Sequence, residues 1–365
     1  MNTDEFYMAR CLQLAKNGEL GAAPNPMVGA VIVHDGKIIG EGYHIRCGGP
    51  HAEVNAFRSV KDDSLLSEST MYVSLEPCAH FGHTPPCADL IVKKGVRRVV
   101  IGCMDPFSKV QGRGIRILRT AGIELRIGVL NNECQFLNRR FITFNTCHRP
   151  YITLKWAHTS DGVMGIKPDA NGANERLMIS STQTQRRAHH LRACHSAILV
   201  GRNTALCDNP SLTTRLVDGP SPLRIVIDPY GKLQPELALF DGTVPTLVVG
   251  YRRKPCVVER PNVEFLRIDK SGDLLDQLLA ALYERKVQSV LVEGGAKVLQ
   301  HFIERGLWDE AHVECSSQTY AQLSGNLPKG RAVHAPTLDI KPMSTEQFGS
   351  LEIKHYYCHT PSLLK

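Results

Sequence analysis

The sequence predicts two α/β units in tandem. Its length of 365 residues matches two domains at the usual size of about 150 residues each. Apolar runs rich in β-branched residues alternate with segments of helical spacing on both sides of residue 150, the pattern of layered α/β folds. Between them Asn145-Thr146-Cys147-His148-Arg149-Pro150 interrupts the pattern, which places a boundary between the units 1–147 and 148–365.

In the first unit, Val28–His34 is an apolar strand run, and Asp35-Gly36 is a type I′ hairpin signal returning the chain along Lys37–Tyr43. Gly48-Gly49-Pro50 precedes a helix beginning at His51. Met71–Leu75 is a strand. Pro85-Pro86 opens a helix over Cys87–Lys94, which Gly95 stops. Val96–Gly102, a helix near 112–121 and a short strand near 123–128 complete this unit. The second unit reads as strands at Tyr151–Trp156, Ser196–Val200, Leu223–Asp228, Thr246–Gly250, Val263–Ile268, Ser289–Glu293 and Glu310–Glu314, with helices over about 273–285 and 296–305.

Composition narrows the class. Hydrophobic residues make up 42% and charged residues 22%, which excludes a disordered or collagen-like chain. The net charge is +7, spread evenly: 17 basic against 14 acidic residues in 1–148, and 26 against 22 beyond. Neither unit is a basic nucleic-acid module. The twelve cysteines are scattered, the start is acidic and polar with no signal-peptide pattern, and no apolar run reaches the roughly 18–20 residues of a membrane span. The reading is a cytoplasmic protein with reduced thiols and no membrane partner.

The most informative constellation is His51-Ala52-Glu53 with Glu76-Pro77-Cys78 and Pro86-Cys87. One imidazole and two thiolates give Zn²⁺ three protein ligands and leave a fourth position for water, as in catalytic sites. Zinc lowers the pKa of such a water to about 7. Cys87 at a helix start is favoured as thiolate, and Glu53 shares the first helical turn with His51 without having to ligate. Each of the three ligands alone reads as a buried core residue; together, with proline before each cysteine, they read as a zinc deaminase whose Glu moves protons. Such deaminases carry Pro-Cys-x-x-Cys, whereas eight residues, Ala79 to Pro86, separate the cysteines here.

That long loop, together with Pro24-Asn25-Pro26-Met27-Val28-Gly29, Gly42-Tyr43-His44, Gly49–Glu53 and Leu75–Cys87, resembles the bifunctional riboflavin-biosynthesis deaminase–reductases. The resemblance implies a cytidine-deaminase-like three-layer domain. It also implies that Asn25 and His44 hold the pyrimidine and ribose, with His80 and His83 beside the substrate phosphate. The family usually has Lys or Arg at His83, and Asn at Phe107.

In the second unit no Gly-x-Gly-x-x-Gly follows a strand, which argues against a doubly wound dehydrogenase. Ser289–Ala296 is instead a strand, two glycines and a helix, a turn at which backbone can approach an anion. Leu154–Ala157, Asp161-Gly162, Thr204–Thr213 and Val292–Gly295 resemble the reductase half of the same family. The resemblance implies a dihydrofolate-reductase-like α/β domain using NADPH. Ala157, Met178, Thr204, Asp208 and Gly295 would then contact the cofactor, and Lys155, Arg192, Leu212, Arg215 and Glu293 the ribose phosphate. Guanidinium groups suit that phosphate through bidentate pairing. Arg176, Met178 and Pro229 depart from the family pattern.

The function expected from these residues is twofold. A zinc-dependent hydrolytic deamination of 2,5-diamino-6-ribosylamino-4(3H)-pyrimidinone 5′-phosphate, with Glu53 as acid/base, precedes NADPH-dependent reduction of the ribose of 5-amino-6-(5-phosphoribosylamino)uracil to ribityl. The family commonly forms dimers or tetramers, so a homo-oligomer is implied. Two other readings are a nucleic-acid editing deaminase with an accessory domain and a non-enzymatic zinc module. The even charge and long loop oppose the first, and the lack of an evident fourth ligand opposes the second.

Overall fold

In the computed structural model, residues 2–79, 85–106, 111–169, 175–325 and 327–358 are described. The chain divides into two compact units between His148 and Arg149.

The first unit contains α1 (Thr3–Lys16), β1 (Gly29–His34), β2 (Lys37–Tyr43), α2 (Ala52–Ser59), β3 (Thr70–Leu75) and α3 (Cys87–Lys94). It continues with β4 (Arg98–Cys103), α4 (Arg113–Thr120), β5 (Glu124–Ile127), α5 (Asn131–Leu137) and α6 (Arg139–Cys147). The sheet order is β2-β1-β3-β4-β5, antiparallel across β1 and parallel from β3 to β5. Successive residues of a strand face opposite ways, so a sheet covered on both faces needs apolar residues without interruption. That is why Val28–His34 shows no alternation. Ala30 and Ile32 pack with α2, α3 and α4 through Ala56, Ile91 and Leu118, while Val31 and Val33 pack with α1 and α5 through Met8, Cys11 and Cys134. These are the three expected layers. Gly42 brings α2 onto β2, because a Cβ there would lie 2.5 Å from the backbone nitrogen of Ala56.

The second unit opens with β6 (Tyr151–His158), β7 (Val163–Ile166), α7 (Thr182–Ala193), β8 (Ala197–Gly201), α8 (Arg202–Asp208) and β9 (Leu223–Ile227). After these come β10 (Thr246–Gly250), α9 (Pro255–Val258), β11 (Val263–Arg267), α10 (Leu274–Glu284) and β12 (Ser289–Val292). It closes with α11 (Ala296–Glu304), β13 (Glu310–Ser316), α12 (Tyr320–Ser324), β14 (Ala332–His334), β15 (Ser344–Phe348) and β16 (Leu351–Tyr357). Nine strands run in the order β11-β10-β9-β8-β12-β6-β13-β16-β15. They are parallel as far as β13, and β16 and β15 are antiparallel. α10 and α11 bury Leu278, Leu282 and Phe302 on one face, and Ala205, Leu212 and Phe240 pack on the other.

The expected strands and helices fall within a few residues of their predicted ends. Not anticipated are α5 to α9, α12, β7, β14 and the β15–β16 hairpin. α7 (TQTQRRAHHLRA) has so few apolar residues that its period is hidden, and only the Ser181 cap on Thr184 announces it.

Candidate active sites

In the first unit, α2 and α3 deliver the metal constellation. His51 is the residue before α2, in extended backbone, and Cys87 is the first residue of α3. His51 Nδ1 lies 3.5 Å from Cys78 Sγ and 3.3 Å from Cys87 Sγ. Bonds to zinc of about 2.3 Å from sulfur and 2.0 Å from nitrogen, at the tetrahedral angle, set sulfur and nitrogen about 3.5 Å apart. The three donor atoms therefore fit zinc.

The Cys87 backbone N–H donates to Cys78 Sγ over 3.3 Å, using an amide that the helix start leaves free. The hydrogen bond between the two sulfurs holds the Cys78 thiol well below its usual range, and the same contact with burial holds Cys87 well above. Hydrogen bonding to Cys78 pushes the His51 imidazole up. Glu53 is buried in the first turn of α2. Burial first, then the Cys78 charge, pushes its carboxyl up to about 7.

Two more predicted residues lie beside this centre. The His44 and His51 rings meet edge to face at 5.4 Å. His44 Nδ1 donates to the Pro50 carbonyl at 3.0 Å, which leaves Nε2 to accept from Asn25 Nδ2 at 3.1 Å. Burial holds the His44 imidazole below its usual range, so it stays neutral. His80, His83 and Phe107 lie outside the described residues.

In the second unit, Arg192 of α7 and Glu293, next after β12, form a bidentate pair at 2.8 and 2.7 Å. Burial opposes ionisation of Glu293, but the Arg192 guanidinium wins and holds its carboxyl low. Lys155 of β6 has Glu314 of β13 at 3.9 Å. Glu314 also accepts from Ser180 Oγ at 2.8 Å and Thr184 Oγ1 at 2.7 Å, which fastens the start of α7 to the sheet. Arg215 is tied back by its backbone N–H to His189 Nδ1 at 3.0 Å. Leu212 is buried with φ +54°, a backbone region that costs a non-glycine residue about 1 kcal/mol or more. Gly294 has φ +143°, where only glycine is at ease, and a Cβ on Gly295 would stand 3.0 Å from Thr204 Oγ1. This bare turn at the start of α11, beside a hydroxyl, fits a cofactor phosphate. Ala157 pairs with Glu314 in the sheet, Asp208 ends α8, and Met178 stands exposed outside the packed cluster.

Residues 1–103 match the model for the cytidine and deoxycytidylate deaminase zinc-binding region, and 150–320 match that for the RibD C-terminal domain. The riboflavin biosynthesis protein RibD of Aquifex aeolicus is 40% identical over 312 residues, 84% of this chain and 85% of that one. The Escherichia coli protein of the same name is 36% identical over 368 residues, 96% of each chain.

The chain belongs to the RibD family.

Solved structures agree. A diaminohydroxyphosphoribosylaminopyrimidine deaminase/5-amino-6-(5-phosphoribosylamino)uracil reductase from Thermotoga maritima superposes with a TM-score of 0.82 at 36% identity, covering 97% of this chain and 98% of that one. RibD of Acinetobacter baumannii gives 0.83 at 31% identity, with the same coverage. Like its family, the chain is a bifunctional enzyme of riboflavin biosynthesis, with a zinc-binding deaminase domain and a reductase domain. The editing-deaminase alternative is set aside, since the similarity extends through both units.

Two residues of these sites are unmarked in the sequence, and a third is marked without a role. Glu314 lies in a strand run with no motif, and only the sheet register sets it beside Ala157. His189 sits in α7, whose period was hidden. Glu76 belongs to the Glu76-Pro77-Cys78 segment of the constellation, but sequence spacing assigns it no role.

Proposed function

We propose that the first unit, residues 1–147, deaminates 2,5-diamino-6-ribosylamino-4(3H)-pyrimidinone 5′-phosphate, and that the second, 148–365, reduces the resulting 5-amino-6-(5-phosphoribosylamino)uracil with NADPH. The observation that carries this reading is the convergence of His51, Cys78 and Cys87 beside a buried Glu53 in a RibD-family chain. His51, Cys78 and Cys87 would hold one zinc ion per chain. Zinc, when bound, supplies Lewis acidity that makes water nucleophilic near neutral pH.

Glu53 takes a proton from the attacking water and delivers it to the ring nitrogen, then takes the remaining hydroxyl proton of the adduct and passes it to the departing amine, releasing ammonia as the ring carbon gains a carbonyl. A carboxyl held near 7 is suited to both accepting and donating at that pH. Asn25 and neutral His44 hold the pyrimidine and ribose, and His80 and His83 flank the phosphate. In the reductase unit, Lys155, Arg192, Leu212, Arg215 and Glu293 surround the ribose phosphate, with Glu293 orienting the Arg192 fork. Ala157, Met178, Thr204, Asp208 and Gly295 face NADPH, which supplies hydride to C1′ of the opened ribose when bound. We place the enzyme in the cytoplasm, as a homo-oligomer acting on small molecules.

The test is ammonia release and NADPH consumption followed in one assay. Ammonia release independent of NADPH, followed by NADPH consumption that requires deaminated substrate, is expected. Glu53→Gln should lower ammonia release by about 10²–10⁴-fold while retaining zinc and the reduction of supplied deaminated substrate. Undiminished deamination in that variant overturns the role of Glu53.

A further inference from the structure

Glu76 is buried, yet it does not join the three metal-ligating atoms two residues away. Its carboxylate is turned toward the start of α4. Oε2 accepts from the backbone N–H groups of Gly112 at 3.0 Å and Asp105 at 3.4 Å. Oε1 accepts from Gly114 at 3.1 Å and Ile115 at 3.3 Å. Three of these four donors, Gly112, Gly114 and Ile115, are amides that the start of α4 leaves open, and the charge of the buried carboxylate complements the positive end of that helix.

The contact is close enough to dictate sequence. A Cβ on Gly114 would lie 2.0 Å from the carbonyl oxygen of Pro77, so only glycine lets α4 seat against this turn. The same short segment is fixed on its other flanks. The Glu76 N–H donates to the Cys103 carbonyl at 2.9 Å, and the Cys78 carbonyl accepts from Ala88 N–H at 3.1 Å. Glu76, Pro77 and Cys78 are thus clamped between β4, α4 and α3, and the last of the three carries a sulfur of the metal constellation.

We infer that Glu76 is a positioning residue for the metal centre: by gripping the start of α4 it holds Cys78 Sγ in place toward His51 and Cys87, and so sets how long the chain retains zinc. This rests on the reading of His51, Cys78 and Cys87 as the zinc ligands. Glu76→Gln removes the charge and turns an amide NH₂ toward one pair of N–H donors, which leaves that pair without an acceptor. Partners behind a metal ligand typically change affinity by about 10–100-fold when altered.

The experiment uses the full-length zinc-loaded chain and measures zinc release to a colorimetric chelator, with reduction of supplied deaminated substrate as the control for an intact second unit. Release at least about tenfold faster is expected for Glu76→Gln. Glu76→Asp keeps the charge but is too short to serve both donor pairs, and should fall between; it also carries the test if the Gln variant does not fold. Cobalt(II) in place of zinc adds a spectroscopic signature, since a displaced Cys78 alters the thiolate-to-cobalt charge-transfer band and a loss of general stability does not. Wild-type release and an unchanged cobalt spectrum in both variants overturn the inference. Zinc retained by Cys78→Ser would overturn the ligand assignment instead, which keeps the two failures apart.

Discussion

His189 shows how a single buried side chain ties local geometry to pH. Burial, with the nearby Arg192 and Arg215 charges, holds its imidazole down to about 4, so it stays neutral and accepts the Arg215 N–H. An unfolded histidine titrates near 6.5. Between those values the unfolded chain binds a proton that the folded chain refuses, so stability falls as pH drops from about 6.5 toward 4. Denaturant midpoints measured at pH 7 and pH 5 should fall more steeply in the wild type than in His189→Asn, whose side-chain oxygen can still accept from Arg215. Equal slopes would show that His189 titrates normally. At the same scale, the metal constellation was legible because its chemistry is carried by residue type and spacing: His51-x-Glu53 and two Pro-Cys pairs. Glu314 and His189 were not legible, because nothing local marks a residue whose role comes from a partner more than twenty positions away.

Among the elements, α1 is the clearest case of a helix fixed by one polar residue. Asp4 in its first turn is buried and receives Arg98 at 2.9 and 2.8 Å and the Tyr72 hydroxyl at 2.8 Å. The Arg98 hydrogen bonds, opposed by burial and aided by Tyr72, bring its carboxyl down to about 2. Because the folded value lies below the unfolded one of about 3.9, Asp4 contributes stability above that pH, and the contribution is lost as pH falls through about 2. Asp4→Asn should therefore cost about 2 kcal/mol near neutrality, with the gap to wild type narrowing below pH 4 in equilibrium unfolding. A gap independent of pH would mean that charge plays no part. Elements with strong apolar runs, such as β1, β4 and α10, were readable from sequence. The β15–β16 hairpin was passed over although Leu351, Ile353 and His355 alternate inward along β16. Period-two signals in a mixed polar strand are weak unless a neighbour is known.

At the scale of the whole chain, the two chemistries proposed for separate units predict separable losses. Chelation of zinc should abolish ammonia release while sparing NADPH consumption on supplied deaminated substrate, and readdition of zinc should restore the first. Loss of both activities on chelation would contradict a division of labour between the units. Among the described residues no helix is long and apolar enough to cross a membrane, and none of the twelve cysteines forms a disulfide.

Residue order alone determined the two α/β units, the His51, Cys78 and Cys87 constellation and the glycine turn before α11, because these depend on spacing within a few dozen residues and on the period of apolar burial. Only the tertiary structure decided which buried carboxylate serves which partner: Glu76 on the amides of α4, Glu293 on Arg192, Glu314 between Lys155 and the start of α7. A carboxylate has no preferred partner in sequence. Its energy depends on which donors the packed sheets and helices bring within hydrogen-bonding distance once water is excluded.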